Sequence, residues 1–328
     1  MATRKDVAKL AGVSTATVSY FINDSGYVSQ EKRQRIAKAI EELDYQPNLI
    51  AKSLKVKDTK QIVFLCNEIC NPFHARVAYR ATTEAYCRDY MILFCNVIDD
   101  EKYIARLCSY QVSGVFIASN RLPLEAIKKM TARRIPVVML DERLDPEIPE
   151  EVSRIIIDYS QIMRDVVRHM LSSGKRELFY LSSNPAGDMG INDGKTSAVV
   201  EAVKAEKGCT GLTVERGMVS ALDAYHMIME KYGSRLGKNT GFICTNDDTA
   251  LGVMRAVNDL GLRIPEDAAV IGTGNTYLSE MSVPRLSTLD IQTDYISQKA
   301  IQILADKNCR KEVQNIWIQP RMIRRETS

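Results

Sequence analysis

Nine short, nearly uninterrupted apolar runs recur between residues 61 and 319: QIVFLC (61–66), YMILFCNV (90–97), GVFIAS (114–119), IPVVML (135–140), RIIID (154–158), ELFYLSS (177–183), GFICTN (241–246), AAVIGTG (268–274) and IWIQ (316–319). A strand that is apolar on both faces must be covered on both. The helical stretches between the runs supply that cover, so the pattern predicts parallel sheets flanked by helices. Nine strands are too many for one small sheet. Two Rossmann-like lobes with a cleft between them is the economical arrangement, and ligands of such folds sit beyond the carboxyl ends of the strands. A chain of 328 residues leaves room for one further small domain.

The first sixty residues have a different texture. Thr3-x-x-Asp6 reads as a helix cap, followed by Val7, Ala8, Leu10 and Ala11 and stopped by Gly12, which is free to take positive φ. Ser14 can cap a second helix from Thr15 to about Ile22, with Val18, Phe21 and Ile22 facing inward and Thr15, Ala16, Ser19 and Tyr20 facing outward. A third helix starts after Ser29 and runs to about Leu43, with Ile36, Ala37, Ile40 and Leu43 as its apolar positions. Two short helices joined by a Gly-containing turn and braced by a third form a helix-turn-helix unit, although a generic three-helix cap has the same pattern. Charge favours the first reading. Residues 1–60 hold eleven Lys/Arg against seven Asp/Glu, a surplus of four, so the net +3 of the whole chain leaves the remainder at −1.

The string DVAKLAGVSTATVSYFIND…GYVSQEKRQRIAKAIEELDYQPNLIAKSLK closely resembles the amino-terminal DNA-binding region of the lactose-repressor (LacI) family of transcription regulators. The resemblance implies that the helix from Thr15 enters the major groove of a palindromic operator, with Thr15, Ala16, Ser19 and Tyr20 facing the DNA. Thr15 can hydrogen-bond a base or touch a thymine methyl, and Ala16 offers apolar contact. Tyr20 stands where many members have Arg or His, so a different preferred operator is expected. In Pro47-Asn48-Leu49-Ile50-Ala51-Lys52-Ser53-Leu54-Lys55, Asn48 can cap a helix of two turns that is marginal in isolation. In the family this hinge helix forms on the operator. There Leu54 would match the leucine wedged into the minor groove, with Lys52 and Lys55 as nearby cations. An ordinary linker is the plain alternative.

Residues 60–328 resemble the effector domain of the same family, which is similar to periplasmic sugar-binding proteins. The matching motifs are Asn71-Pro72-Phe73, Ile135-Pro136-Val137-Val138, Thr245-Asn246-Asp247-Asp248-x-Ala250-Leu251-Gly252, Gly261-Leu262-Arg263-Ile264-Pro265-Glu266-Asp267 with Val270-Ile271-Gly272, and Pro284-x-Leu286-Ser287-Thr288. The expected fold is therefore an all-α helix-turn-helix domain (1–46), a hinge and linker (47–59) and an α/β periplasmic-binding-protein-like (type I) domain (60–328). Lobe 1 of the last covers about 60–158 and 291–318, and lobe 2 covers about 159–290 and 319–328. Sugar-responsive members place an arginine before the helix at 196 and an aspartate after the strand at 268–272. This sequence has Lys195 and Gly274 there. Lysine replaces a bidentate fork by a point charge, and glycine removes an acceptor pair. The small-molecule effector is expected to be a sugar or sugar derivative in an atypical pocket, one able to admit a bulkier or anionic ligand. Phe73 is its stacking surface, and His74, Lys195, Asn246, Asp247 and Asn275 are its polar lining. Asn246 and Asp247 serve equally well as loop caps, and Asn71-Pro72 as loop geometry. The other reading is a cleft that has lost its ligand and serves dimerisation.

Rival chemistries fit less well. Gly190-Ile191-Asn192-Asp193-Gly194-Lys195-Thr196 is one residue too short for a P-loop, which disfavours a nucleotide-dependent enzyme. Gly272-Thr273-Gly274 has Tyr277 where a dinucleotide fingerprint needs its third glycine. No Ser/His/Asp set or carboxylate pair stands out, and neither an enzyme nor a cofactor is expected. Eight cysteines (66, 70, 87, 95, 108, 209, 244, 309) sit mainly in apolar runs without a C-x-x-C pair, as reduced thiols do, and only three histidines accompany them, so a structural zinc site is not expected. MATRKDVAKL has an acidic residue where a secretory leader is apolar, and no run of about 18 apolar residues occurs. A cytoplasmic protein without membrane contact is expected, which argues against a transporter's solute-binding protein. No heptad pattern follows Gln319, so a homodimer is the expected assembly.

Overall fold

Helix ends in the first forty-six residues form where the spacing predicts them. The computed structural model describes residues 2–46, 59–98, 100–119, 121–141, 146–184, 194–233, 235–306 and 308–328, and the chain divides into two units, Met1–Thr59 and Lys60–Ser328. In the first, α1 (Arg4–Ala11) opens with a reciprocal cap: Asp6 N–H donates to Thr3 Oγ1, and Thr3 N–H donates to the Asp6 carboxylate at 2.8 Å. Gly12 closes it at φ +63°, in the left-handed region. Ser14 caps α2 (Thr15–Asn23) by accepting from Thr17 N–H at 3.1 Å. Ser29 precedes α3 (Gln30–Glu42) without any side-chain cap. Val7, Ala8, Ala11, Val18, Val28, Ile36, Ala39 and Tyr45 make the core, with Phe21, Ile22, Ile40 and Leu43 packed against it. Ala37, expected inside, is exposed, and Ala39 takes its place. Positions 36, 39, 40 and 43 share one stripe of a helix, whereas 37 is rotated about 100° from 36.

The second unit contains two six-stranded sheets. One runs in the order β11 (Asn315–Ile318), β5 (Ser153–Ile157), β4 (Val137–Asp141), β3 (Gly114–Ala118), β1 (Gln61–Cys66), β2 (Met91–Asn96), with every pairing parallel. The other runs β12 (Arg321–Ile323), β10 (Ser287–Asp290), β9 (Ala268–Thr273), β8 (Thr240–Cys244), β6 (Glu177–Leu181), β7 (Gly211–Glu215), parallel except for β12 against β10. The chain passes between the sheets after β5, β10 and β11.

All nine apolar runs form strands, and their faces show why they lack alternation. Ile62 and Phe64 of β1 pack towards Val77 and Ala81 of α4 (Pro72–Tyr86) and Ile301 and Leu304 of α12 (Thr293–Ala305). Val63 and Leu65 face the other way, onto Leu107 of α5 (Glu101–Ser109) and Ile127 and Met130 of α6 (Leu124–Ala132). The second sheet packs against α7 (Ser160–Ser172), α8 (Gly194–Ala205), α9 (Ala221–Met227), which runs on into a π turn (Ile228–Tyr232), and α10 (Asp247–Asp259), while the short α11 (Tyr277–Met281) follows β9. Gly252 lets α10 approach α9: a Cβ there would lie 1.9 Å from the Ala221 carbonyl oxygen. Three strands were not foreseen. β7 is a half-buried edge strand and β12 has three residues, while β10 is polar because Ser287 and Thr288, both fully buried, have internal partners. No described helix is long and apolar enough to cross a membrane. Of the eight cysteines only Cys66, Cys108 and Cys244 are buried, and Cys70 and Cys87 are exposed.

Candidate nucleic-acid interface and ligand cleft

Because Val18 faces the core, α2 must turn Thr15, Ala16, Ser19 and Tyr20 outward along one stripe. Thr15 and Ala16 are exposed, Tyr20 is 48% exposed and Ser19 is half-buried. Ser19 Oγ accepts from Arg4 Nη1 at 3.3 Å and from Asn23 Nδ2 at 3.4 Å. Thr15 and Ala16 open the helix, where free N–H groups and the positive dipole end suit a phosphate oxygen. The four side chains thus form a short surface with polar, apolar and aromatic character in sequence. Asn48, Lys52, Leu54 and Lys55 lie outside the described residues.

In the second unit a cavity opens beyond the carboxyl ends of both sets of strands. Its walls are Asn67, Asn71, Phe73 and His74 after β1, Ala118 and Ser119 at the end of β3, Leu140, Ile157 and Tyr159 from β4, β5 and beyond, and Ser183, Thr245, Asn246, Thr273 and Gly274 from the other sheet, with Ile291 and Lys195. Four expected residues, Phe73, His74, Lys195 and Asn246, are therefore brought together. The other two are not among the lining residues. Asp247 is 1% exposed, and its carboxylate accepts from Thr276 N–H at 2.7 Å, Thr276 Oγ1 at 2.8 Å and Thr288 Oγ1 at 2.5 Å. It ties α10 to the loops at β9 and β10, and burial pushes its pKa up against those donors. Asn275 accepts from Arg325 Nη2 at 2.9 Å through Oδ1 and from Arg76 Nη1 at 3.4 Å through its carbonyl. Two of the lining asparagines also cap helices: Asn246 Oδ1 caps α10 on Thr249 N–H at 2.7 Å, and Asn71 Oδ1 caps α4 on Phe73 N–H at 3.0 Å, with Pro72 first in the helix.

Among the described lining residues the charged side chain is Lys195, set among neutral polar groups. Lys195 Nζ lies 5.4 Å from the centre of the Tyr159 ring, a cation–π distance. Phe73 and His74 have ring centres 5.3 Å apart. His74 Nδ1 is 2.9 Å from the Glu68 carbonyl oxygen, which can only accept, so Nδ1 carries the hydrogen. Burial lowers the His74 pKa to about 4, with the positive charges of Lys195 and Arg121 acting in the same direction. Arg121 Nη2 also donates to the Ser183 carbonyl at 3.2 Å, linking the two sheet regions at the cleft. No carboxylate lines the cavity among the described residues. Gly274 has φ +124°, a conformation that an aspartate would rarely adopt, so glycine suits this turn. Sequence reasoning passed over Tyr159, Ser119, Ser183 and Arg121. The signal was available, since each lies at the end of an apolar run or just past it, where the carboxyl ends of strands collect ligands.

Gly194 and Lys195 begin α8 and residues 190–193 lie outside the described ones, while Tyr277 is 67% exposed. Among the described residues no group of three or more His, Cys, Asp or Glu side chains is placed to hold a metal ion.

Residues 3–48 match the model of bacterial regulatory proteins of the lacI family, and residues 167–328 match a periplasmic binding protein-like domain. The HTH-type transcriptional repressor PurR of Photorhabdus laumondii is 31% identical over 342 aligned positions, covering 100% of this chain and 97% of the relative. PurR of Serratia proteamaculans is 30% identical, with coverage of 100% and 97%. In fold, the chain superposes on the lac repressor dimer bound to operator and the anti-inducer ONPF with a TM-score of 0.83, at 22% identity and covering 99% and 98% of the two chains. It also matches a ribose-bound regulator from Enterococcus faecium with a TM-score of 0.71, at 22% identity, covering 82% of this chain and 98% of that one. Matched by the lacI-family model over its helix-turn-helix and 31% identical along its whole length to a PurR repressor, the chain belongs to the LacI family of DNA-binding regulatory proteins.

Proposed function

We propose that the chain is a sequence-specific transcriptional repressor that binds a palindromic operator as a homodimer in the cytoplasm and is controlled by a small molecule in the cleft. The observation that carries this reading is the outward stripe of α2, which offers Thr15, Ala16, Ser19 and Tyr20 to base edges from a helix whose opposite face is packed on the core through Val18. Asn48, Lys52, Leu54 and Lys55 serve as the hinge at the centre of the operator, with Leu54 as the minor-groove wedge. Homodimerisation is supported by large apolar side chains left exposed in two groups. These are Tyr79, Tyr86, Met91 and Phe94 on α4 and β2, and Leu222, Tyr277, Met281 and Val283 on or beside α9 and α11.

The cleft binds rather than catalyses. A wall containing Lys195, a neutral His74 and the Phe73 ring favours an effector with an anionic group on a partly apolar body, so a charged sugar derivative fits better than a neutral sugar. Binding there changes operator affinity through a coupling of about 1–3 kcal/mol. One observation favours an empty cleft instead: the Asn71 and Asn246 side-chain oxygens are engaged in helix caps.

The test is selection of full-length protein on randomised duplexes, followed by titration of the winner. The expected result is one palindrome whose affinity falls steeply and linearly in log–log form with salt. Enrichment of no sequence overturns the reading. With the operator in hand, Lys195→Ala leaves unliganded DNA affinity unchanged and weakens the effector response by roughly tenfold or more. An unchanged response removes Lys195 from the site.

A further inference from the structure

The turn that follows α2 brings a glycine against the recognition face. Asp24 ends the helix at φ +45°, and Ser25 N–H donates to the Tyr20 carbonyl at 3.2 Å, which folds the chain back over its last turn. Gly26 then lies against the Tyr20 ring. A Cβ built on Gly26 would sit 3.0 Å from Tyr20 Cγ, 3.1 Å from Cδ1 and 3.4 Å from Cδ2, so the space a methyl group would need is already filled by the root of the ring. The turn is held in place from α3: Arg33 Nη2 donates to Asp24 Oδ1 at 3.1 Å, and Arg33 Nε donates to the Val28 carbonyl at 3.2 Å. Tyr20 is anchored by backbone on one side of its ring and remains 48% exposed elsewhere.

We propose that Gly26 is a positioning residue for operator choice: by having no side chain it lets the Tyr20 ring lie back on the turn, and this sets the angle at which Tyr20 reaches the DNA. This rests on the reading of Tyr20 as a base-reading residue. Gly26 does not itself need to touch a base. Its φ is outside the left-handed region, so alanine fits the backbone and only the ring must move. Removing a glycine from a turn also narrows the unfolded ensemble, so the substitution is expected to leave the thermal midpoint unchanged or raise it. Selectivity therefore changes without a loss of folding, a signature that a merely structural glycine would not produce.

The experiment compares wild type, Gly26→Ala, Tyr20→Ala and the double variant of the full chain, by sequencing-based selection on randomised palindromic duplexes and by thermal melting. Gly26→Ala is expected to change the affinity ratio between the preferred half-site and its single-base variants by about fivefold or more at the bases that Tyr20→Ala also affects. The double variant should match Tyr20→Ala alone. If Tyr20→Ala shifts the preference and Gly26→Ala does not, positioning is overturned while base reading by Tyr20 stands. If Tyr20→Ala leaves the preference unchanged, base reading falls and the proposal with it. An effect of Gly26→Ala that persists in the Tyr20→Ala background assigns Gly26 a separate contact and also overturns the proposal.

Discussion

The recognition face of α2 and the cleft of the second unit use polar side chains in opposite ways. On α2 the residue that caps and the residues proposed to read are different neighbours: Ser14 closes the helix end, and Thr15 and Ala16 beside it stay open. In the cleft the same residue types are absorbed into the architecture. Asn71 and Asn246 cap helices, and Asp247 joins three elements. A single helix can dedicate one face to a partner because its other face does the folding. A cleft assembled from strand ends has to hold its loops together with the polar groups that lie nearest the ligand.

The largest expected effect tests that division. Asp247→Ala leaves the Thr276 N–H and two buried hydroxyls without their acceptor, at about 1–3 kcal/mol for each stranded donor. The second unit should lose about 3–5 kcal/mol in urea unfolding, while Thr15→Ala changes stability by less than about 0.5 kcal/mol and weakens DNA binding. A stable Asp247→Ala protein that fails to respond to its effector would make Asp247 a ligand group and break the contrast.

A smaller effect should appear with pH. The His74 pKa is about 4 in the folded chain against about 6.5 when unfolded. Between those values the unfolded chain binds the proton and the folded chain does not, so stability is complete above pH 6.5 and is lost as the pH falls towards 4. The ring is partly open to the cleft, so the expected loss between pH 7 and 4.5 is about 1–2 kcal/mol rather than the full linkage value. It is measured as the difference between wild type and His74→Gln. An anionic ligand beside Lys195 should raise the His74 pKa and take up a fraction of a proton on binding. No difference between the two proteins across this range would show that His74 is not buried as a neutral ring.

How much could be read in advance follows from the same contrast. The caps at Thr3, Gly12 and Ser14, the outward stripe of α2 and the nine doubly covered strands are local patterns, each set by neighbours within four residues. Ala37 failed because an apolar residue next to Ile36 looks inward by composition but not by rotation. β10 escaped notice because Ser287 and Thr288 are polar in sequence and buried only through Thr327 and Asp247, partners about forty residues away in the chain. Asp247, which the sequence offers equally as a ligand group and as a loop cap, is ambiguous for the same reason: nothing near it in sequence reveals Thr276 or Thr288. The loss of an acceptor at Gly274 was visible, but its φ of +124° was not.

The smallest effect isolates capping from reading within the first unit. Ser14 and Ser29 both precede helices in extended conformation, with ψ of 154° and 153°, and composition gives no reason to tell them apart. Only Ser14 closes its helix, accepting from Thr17 N–H at 3.1 Å with its hydroxyl 2.9 Å from Thr17 Oγ1. Ser14→Ala should therefore cost about 1 kcal/mol, and Ser29→Ala only a few tenths. Since α2 is the helix that carries Thr15, Ala16 and Tyr20, fraying its first turn also loosens the reading surface. Ser14→Ala should lower operator affinity by about the same factor as it lowers the stability of the unit, whereas Thr15→Ala lowers affinity alone. Equal costs at Ser14 and Ser29 in thermal melts would mean that helix-end chemistry does not set the entry of the recognition helix. The packing of Val18 against Ile36 and Ala39 would then have to hold it unaided.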